Sequence, residues 1–250
     1  MTTVDINCDL GEGNTAADCT RDALLMPFIS RCNIACGGHA GNDDTMALSI
    51  DNAMANGLAI GAHPSYPDRD NFGRHSLAIA RPQLLDAVAA QIERLSTIAA
   101  HRHATLDHIK LHGALYNDAE ADPALAISLL EMLKSRFPTL KILGLANAAT
   151  EQAAHTVGIP FLREGFMDRR YLNNHQLSPR SMQGAVIDDF TQCLQQTLAL
   201  IRGETFLSIH GEPLRFTADS ICLHGDNIHA PEIATRLHRA LQRAGVDVRA

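Results

Sequence analysis

Short apolar runs that end in glycine-rich or polar turns recur along the chain, and between them the hydrophobic spacing lengthens from a period of two to that of a helix. The first run, Val4-Asp5-Ile6-Asn7-Cys8-Asp9, alternates and stops at Leu10-Gly11-Glu12-Gly13, which predicts a strand followed by a loop. Further strands are predicted at 32–36, 58–62, 108–112, 140–145, 160–163 and 220–223. Helices are predicted at 22–30, 43–56, 82–98, from Asp122-Pro123 onward, at 149–157, 187–201 and 231–244. The third is marked most strongly, with Pro82 near its first turn and Leu84, Leu85, Val88, Ile92, Leu95 and Ile98 in one apolar stripe. Residues 205–209 and 214–217 flank Gly211 as a small hairpin.

Strands that alternate with helices imply right-handed βαβ units and a parallel sheet. A strand count near seven or eight predicts a closed (β/α) barrel, with an open doubly wound sheet as the other arrangement the pattern allows. No polar linker divides the 250 residues, so one domain spanning 1–250 is expected. In either fold the residues just after the strands collect at one edge. Four strands end at a histidine: His39, His63, His112 and His224.

Composition narrows the function. With 46% hydrophobic residues there is material for a large core, and no segment approaches the roughly 20 apolar residues of a membrane span. The first residues, Met1-Thr2-Thr3-Val4-Asp5, lack the basic and apolar regions of a signal peptide, so a cytoplasmic protein is expected. A formal charge of −7 without a basic stripe argues against nucleic acid as a partner. Six cysteines without a C-x-x-C pair read as reduced structural thiols.

The candidate chemistry lies in the loops after the strands. Asp9 and Glu12 can act as a general base or ligate a metal, although an isolated acid there is as easily a turn or cap residue. Two histidines and an aspartate on the barrel rim can hold Zn²⁺ with an open position for water, so the metal content stays open. His108 and His112 are separated by about 13 Å of strand and are not expected to share an ion. Lys110 falls on the same strand face as His112 and can hold an anion or polarise a carbonyl, or else snorkel to solvent. Arg163, Arg169 and Arg170, with Glu164 and Asp168, can clamp a carboxylate or phosphate or form a loop salt-bridge network. No phosphate-binding loop, dinucleotide fingerprint or serine nucleophile elbow occurs. Taken alone, the residues predict water- or base-mediated hydrolysis of a polar small molecule.

Six segments carry a resemblance. They are Asn7-Cys8-Asp9-Leu10-Gly11-Glu12, Ala35-Cys36-Gly37-Gly38-His39-Ala40-Gly41, Gly61-Ala62-His63-Pro64 with Phe72-Gly73-Arg74, Lys110-Leu111-His112-Gly113-Ala114-Leu115-Tyr116-Asn117, Arg163 through Tyr171, and Ile221-Cys222-Leu223-His224-Gly225-Asp226. In order and from end to end, the chain resembles the LamB/YcsF family, the A subunits of bacterial ATP-dependent 5-oxoprolinases. It departs from the family pattern at Leu111, where proline is common, and at Gly38, where phenylalanine is frequent. The resemblance implies a barrel similar to glycoside hydrolases and polysaccharide deacetylases. It also implies opening of the 5-oxoproline lactam to L-glutamate, with subunits B and C binding ATP and phosphorylating the lactam oxygen. On this reading Asp9, with Glu12, activates water. His39, His63, His112 and His224 position it, shuttle protons or hold an ion. Lys110, Arg163, Asp168 and Arg169 bind the substrate carboxylate or phosphate, and Asp226 stands with them and orients a histidine. The alternatives are a metal-dependent deacetylase and a non-catalytic substrate-binding subunit.

Overall fold

A computed structural model describes residues 2–225 and 229–250. Its elements run β1 (Thr2–Leu10), α1 (Ala16–Ala23), β2 (Arg31–Ala35), α2 (Asp43–Ala55), β3 (Ala59–His63), α3 (Arg81–His101), β4 (His108–Ile109), α4 (Gly113–Ala121), α5 (Pro123–Arg136), β5 (Lys141–Leu145), α6 (Ala149–Val157), β6 (Phe161–Phe166), α7 (Phe190–Arg202), β7 (Phe206–Leu207), β8 (Pro213–Leu214), β9 (Ser220–Leu223), α8 (Ala230–Arg243) and β10 (Val246–Val248).

Seven of these strands form a closed parallel barrel. β1 through β6 pair in succession, β6 pairs with β9, and β9 returns to β1 with Asp5 opposite Ser220 and Cys8 opposite Leu223. That last pairing excludes the open doubly wound sheet. β10 lies parallel to the first residues of β1, outside the ring. The antiparallel β7–β8 pair is the expected hairpin.

Strand alternation has an unusual meaning here. Val4, Ile6, Cys8 and Leu10 of β1, Cys32 and Ile34 of β2, Ile109 after His108, and Ile221 and Leu223 of β9 all join the apolar core. Full burial of such an aliphatic side chain contributes about 1.5–3 kcal/mol, so truncating Ile34 to alanine would cost roughly 2–5 kcal/mol. The alternate positions, Asn7, Asn33, His108, Lys110, Glu164 and Ser220, are buried as well, yet polar. They are hydrogen-bonded to one another inside the ring, which lets a barrel interior be polar without leaving orphaned groups.

Several boundaries differ from the sequence expectation for local reasons. The helix expected at 22–30 begins earlier, at Ala16, because Thr15 and Asp18 form a capping box. Pro27 sits instead in a single 3₁₀ turn, Met26–Phe28. β4 is only two residues long, yet Lys110 N and His112 N still donate to the Ala62 and Pro64 carbonyls, so the extended course continues to the barrel mouth. Helix α4 was unforeseen; it opens at Gly113, whose φ of 60° suits glycine and where an added Cβ would lie 2.5 Å from the Gly73 carbonyl.

Helix α6 has no capping side chain of its own at Ala148. Glu120 of α4 takes that role from outside, accepting hydrogen bonds from Leu145 N at 2.8 Å and Thr150 N at 3.2 Å. Burial pushes this carboxyl up to about 7 in spite of its donors. Among the described residues no helix is long and apolar enough to cross a membrane.

Candidate active site at the barrel mouth

A ladder of polar contacts runs from the barrel floor to its mouth. At the bottom, Arg31 pairs with Asp5 at 2.6 Å and lies 2.9 Å from His108 Nδ1. His108 Nε2 meets Asn33 Oδ1 at 2.7 Å, and Asn33 Nδ2 donates to Asp9 Oδ1 at 2.7 Å. Burial, reinforced by the Arg31 charge, pushes His108 down to about 4, so it is a neutral spacer. Lys110 closes the ladder. Its ammonium lies 2.9 Å from Asp9 Oδ1 and 2.8 Å from Glu164 Oε1, while Tyr116 donates to Glu164 Oε2 at 2.8 Å.

These contacts define the state of Asp9. Burial would raise its pKa, but the charges of His63 and Lys110 hold the carboxyl well below the ordinary range. Oδ1 is taken by Asn33 and Lys110, whereas Oδ2 faces His63 Nε2 at 3.4 Å. Burial alone would make Lys110 a weaker base; Asp9 and its other neighbours raise it well above the usual lysine value, so the ammonium is charged. The reading of Lys110 as a solvent-seeking side chain is therefore set aside.

Beside Asp9, three histidines share one corner with Glu12. His39 and His112 stack with ring centroids 3.6 Å apart, and His63 meets His112 edge-on at 4.8 Å. His39 Nε2 lies 3.1 Å from Glu12 Oε1, and His112 Nδ1 lies 3.4 Å from the same oxygen. Burial, then the His63 charge, pushes His39 down to about 2 and His112 down to about 3. His63 is driven down by burial too, but Asp9 more than offsets it and leaves the imidazole above its ordinary value. Phe72 walls this corner from an unusual backbone conformation, φ 56°, which aims its carbonyl at His112 Nε2.

The opposite wall is cationic. Arg169 is buried and donates through Nη2 to the Ser178 carbonyl, while its Nε has no acceptor among the described residues. Burial, then the neighbouring Arg180 charge, pushes Arg169 below the ordinary guanidinium value. Arg180 and Arg74 line the same pocket, as do Phe166, Tyr116 and His224. His224 is oriented from behind by Asp168, whose carboxylate lies 2.7 Å from Nδ1 and leaves Nε2 as the other ring nitrogen.

A basin that combines an ionised aspartate, a lysine, three imidazoles with a fourth behind them, and several guanidiniums at the C-terminal mouth of a barrel is equipped for acid–base work on a small anion. Comparison with known proteins adds the lineage. The LamB/YcsF family model matches residues 4–250. This chain belongs to the LamB/YcsF family. A protein of Chloroflexus aggregans named as the A subunit of 5-oxoprolinase is 40% identical over 249 residues, covering 100% of this chain and 99% of that one. One of the same name from Erwinia tasmaniensis is 40% identical over 245 residues, covering 98% of each. Among solved structures, the lactam utilization protein from Thermus thermophilus superposes with a TM-score of 0.91 at 34% identity, covering 99% of both chains.

In this LamB/YcsF chain the residues singled out from sequence divide into three groups. Asp9, Glu12, His63, Lys110, His112, Arg169 and His224 line one pocket, with His39 buried directly behind His112. Asp168 is close by but turned to His224, so its carboxylate is occupied by the histidine and is no longer free to hold substrate. Arg163 is a correction: it precedes the inward Glu164 on β6, so alternation turns it out of the barrel, where it pairs with Asp219 at 2.7 Å and donates to Thr217. Asp226 lies outside the described residues. Sequence reasoning missed Arg180, which lies in the irregular stretch before α7 and carries no local motif. It also passed over Tyr116 as a site residue, although it sits four positions after His112 on α4. At Gly38 an added Cβ would fall 2.1 Å from Gln91 Oε1, so a larger residue there requires the Gln91 side chain to shift.

Proposed function

We propose that this chain is the ring-opening subunit of an ATP-dependent 5-oxoprolinase, converting the 5-oxoproline lactam to L-glutamate after ATP bound by partner subunits B and C has activated the lactam oxygen. The names of the relatives motivate the substrate, and cytoplasmic work within a complex goes with that reading. The observation that carries the mechanism is Asp9, an ionised carboxylate that lines the pocket, with one oxygen anchored by Asn33 and Lys110 and the other facing His63 Nε2 at 3.4 Å.

In this mechanism Arg169 and Arg180 hold the substrate's anionic groups, its carboxylate and the phosphate added by the partners, through charge-assisted hydrogen bonds. Asp9 accepts a proton from water as the water oxygen bonds to the lactam carbon. The carbon–nitrogen bond then breaks, leaving glutamate with its γ-carboxyl phosphorylated, and a second water cleaves that acyl phosphate to release inorganic phosphate and L-glutamate. The departing ring nitrogen takes a proton from His224 Nε2, with Asp168 holding the imidazole in register. Lys110 keeps a positive charge beside the developing oxyanion. The proton taken by Asp9 and the one given by His224 balance over the cycle, since water resets both.

The test is reconstitution. Subunits B and C with ATP and 5-oxoproline should release glutamate only when this chain is added. Asp9→Asn, shown to be folded, should lower turnover by at least about a hundredfold, the usual contribution of a general base. Glutamate release by B and C alone, or full activity of the Asp9→Asn chain, would refute the assignment.

A further inference from the structure

The corner formed by Glu12, His39, His63 and His112 is not used by the ring-opening scheme, yet its hydrogen-bond accounting does not close. His63 Nδ1 is 2.8 Å from the Lys110 carbonyl, and His112 Nε2 is 3.0 Å from the Phe72 carbonyl. A carbonyl only accepts, so each of these nitrogens carries a hydrogen, and in a neutral ring the other nitrogen then carries a lone pair. Those two lone-pair nitrogens, His63 Nε2 and His112 Nδ1, lie 3.0 Å apart. On either side stand carboxylate oxygens, Asp9 Oδ2 at 3.4 Å from His63 Nε2 and Glu12 Oε1 at 3.4 Å from His112 Nδ1. Four electron-rich atoms therefore follow one another at 3.0 to 3.4 Å. A proton on His63 Nε2, which the Asp9 carboxylate favours, serves its contacts with Asp9 Oδ2 and His112 Nδ1, but the contact between His112 Nδ1 and Glu12 Oε1 still sets two lone pairs face to face.

A divalent cation resolves that contact together with the others. Bonds of 2.0–2.1 Å in a tetrahedral zinc site place neighbouring ligand atoms about 3.3 Å apart; His112 Nδ1 lies 3.0 Å from His63 Nε2 and 3.4 Å from Glu12 Oε1, and the candidate ligand atoms all lie within 4.8 Å of one another. The second nitrogens of both histidines donate to backbone carbonyls, the outer contact that orients metal-binding imidazoles.

His39 has a different part. Its ring is parallel to that of His112, at 3° and 3.6 Å, so the in-plane lone pairs of the two rings run side by side and do not converge on one ion. Its Nδ1 is buried without a partner among the described residues, which puts the ring's hydrogen on Nε2, 3.1 Å from Glu12 Oε1. His39 thus holds the Glu12 carboxylate in place.

We propose that Glu12, His63 and His112 form a divalent transition-metal site of the Zn²⁺ class, oriented by His39 and open toward the pocket. All three ligands line that pocket whereas His39 does not. A nitrogen-rich set with one carboxylate selects Zn²⁺ or Co²⁺ over Mg²⁺ or Ca²⁺. Bound there, the ion would polarise a substrate oxygen or acidify a water next to Asp9. The proposal stands apart from the lactam assignment, since it rests on hydrogen-bond geometry alone.

The test uses the whole chain without an affinity tag. Metal analysis after purification should find about one equivalent of Zn²⁺ or a neighbouring metal, and the stripped protein reloaded with Co²⁺ should show visible d–d absorption of a low-symmetry nitrogen and oxygen site. Glu12→Gln and His63→Gln should abolish that absorption at one equivalent of Co²⁺, and His39→Gln should weaken binding by about 10–100-fold. Folding of each variant is checked by circular dichroism. Failure of the folded wild-type chain to bind Zn²⁺ or Co²⁺ overturns the site without any reliance on variants. Binding that survives both ligand substitutions unchanged overturns it as well.

Discussion

Replacing Lys110 by methionine should destabilise the barrel by about 3–5 kcal/mol, the cost of stripping one partner from a buried ionic cluster. The side chain is 3% exposed, and its ammonium lies between Asp9 Oδ1 at 2.9 Å and Glu164 Oε1 at 2.8 Å, with Asn7 Oδ1 at 3.1 Å. At an effective dielectric near 20, each ionic contact is worth roughly 5–6 kcal/mol of attraction before ion desolvation is subtracted. Methionine keeps most of the stem packing but leaves two carboxylates without their shared cation. The pH dependence follows from Asp9. Its pKa is held low by His63 and Lys110 against the effect of burial, so it contributes stability above the ordinary carboxylate range that is lost as pH falls through the depressed value. Without Lys110 that loss should begin at higher pH. Adding Glu164→Gln to Lys110→Met should recover about 1–2 kcal/mol, because one orphaned charge is gone while the amide oxygen still accepts from Tyr116. Urea unfolding at pH 7.5 of the wild type, both single variants and the double variant measures this. A barrel with about 5–15 kcal/mol of stability leaves each variant foldable. A loss below about 1 kcal/mol for Lys110→Met, or strict additivity in the double variant, would refute the reasoning.

Glu120 makes a second pH prediction, of opposite sign. Its carboxyl is raised from 4.5 to about 7 by burial, so its protonated form favours the fold. That contribution is complete below about 4.5 and disappears as pH rises through about 7, a change of roughly 3 kcal/mol at 1.4 kcal/mol per unit. Urea melts of the wild type against Glu120→Gln between pH 5 and 8 should show the wild type losing ground, and a constant difference would reject the idea. Arg163→Ala should lower stability by less than about 1 kcal/mol, as exposed pairs do, and leave ring opening within twofold of the wild type in the reconstituted assay. A larger loss of activity would return Arg163 to the site.

Much of the architecture was legible in the chain because its signals are local. The stripe from Leu84 to Ile98 and the Pro82 start predicted α3, the 149–157 helix coincides with α6, and glycine-punctuated apolar runs predicted the seven barrel strands. Histidines recurring at strand ends foretold a shared site, since the parallel topology delivers every strand end to one mouth. Boundaries set by short-range competition were harder to read. The capping box at Thr15 outweighed the apolar spacing after Asp22, and α4 opens on a glycine that reads as a turn.

Other properties depended on which way each side chain points once the ring has closed. The alternation of Val4-Asp5-Ile6-Asn7-Cys8-Asp9 looks like a strand with one face in water, but the β1–β9 pairing turns the polar face into a dry interior. Closure then brings Lys110 onto Asp9 and Glu164 from three different strand ends, and the same alternation turns Arg163 away from Glu164 and out of the site. Arg180 and the Asp168–His224 pair are products of tertiary contact alone, separated along the chain and joined by no periodic pattern. The sequence by itself determined a parallel (β/α) barrel and which polar residues gather at its strand ends, because strand and helix periodicity are local. Which of those groups face one another, and with what charge, was decided only by closure of the ring, because burial and neighbouring charges act through space.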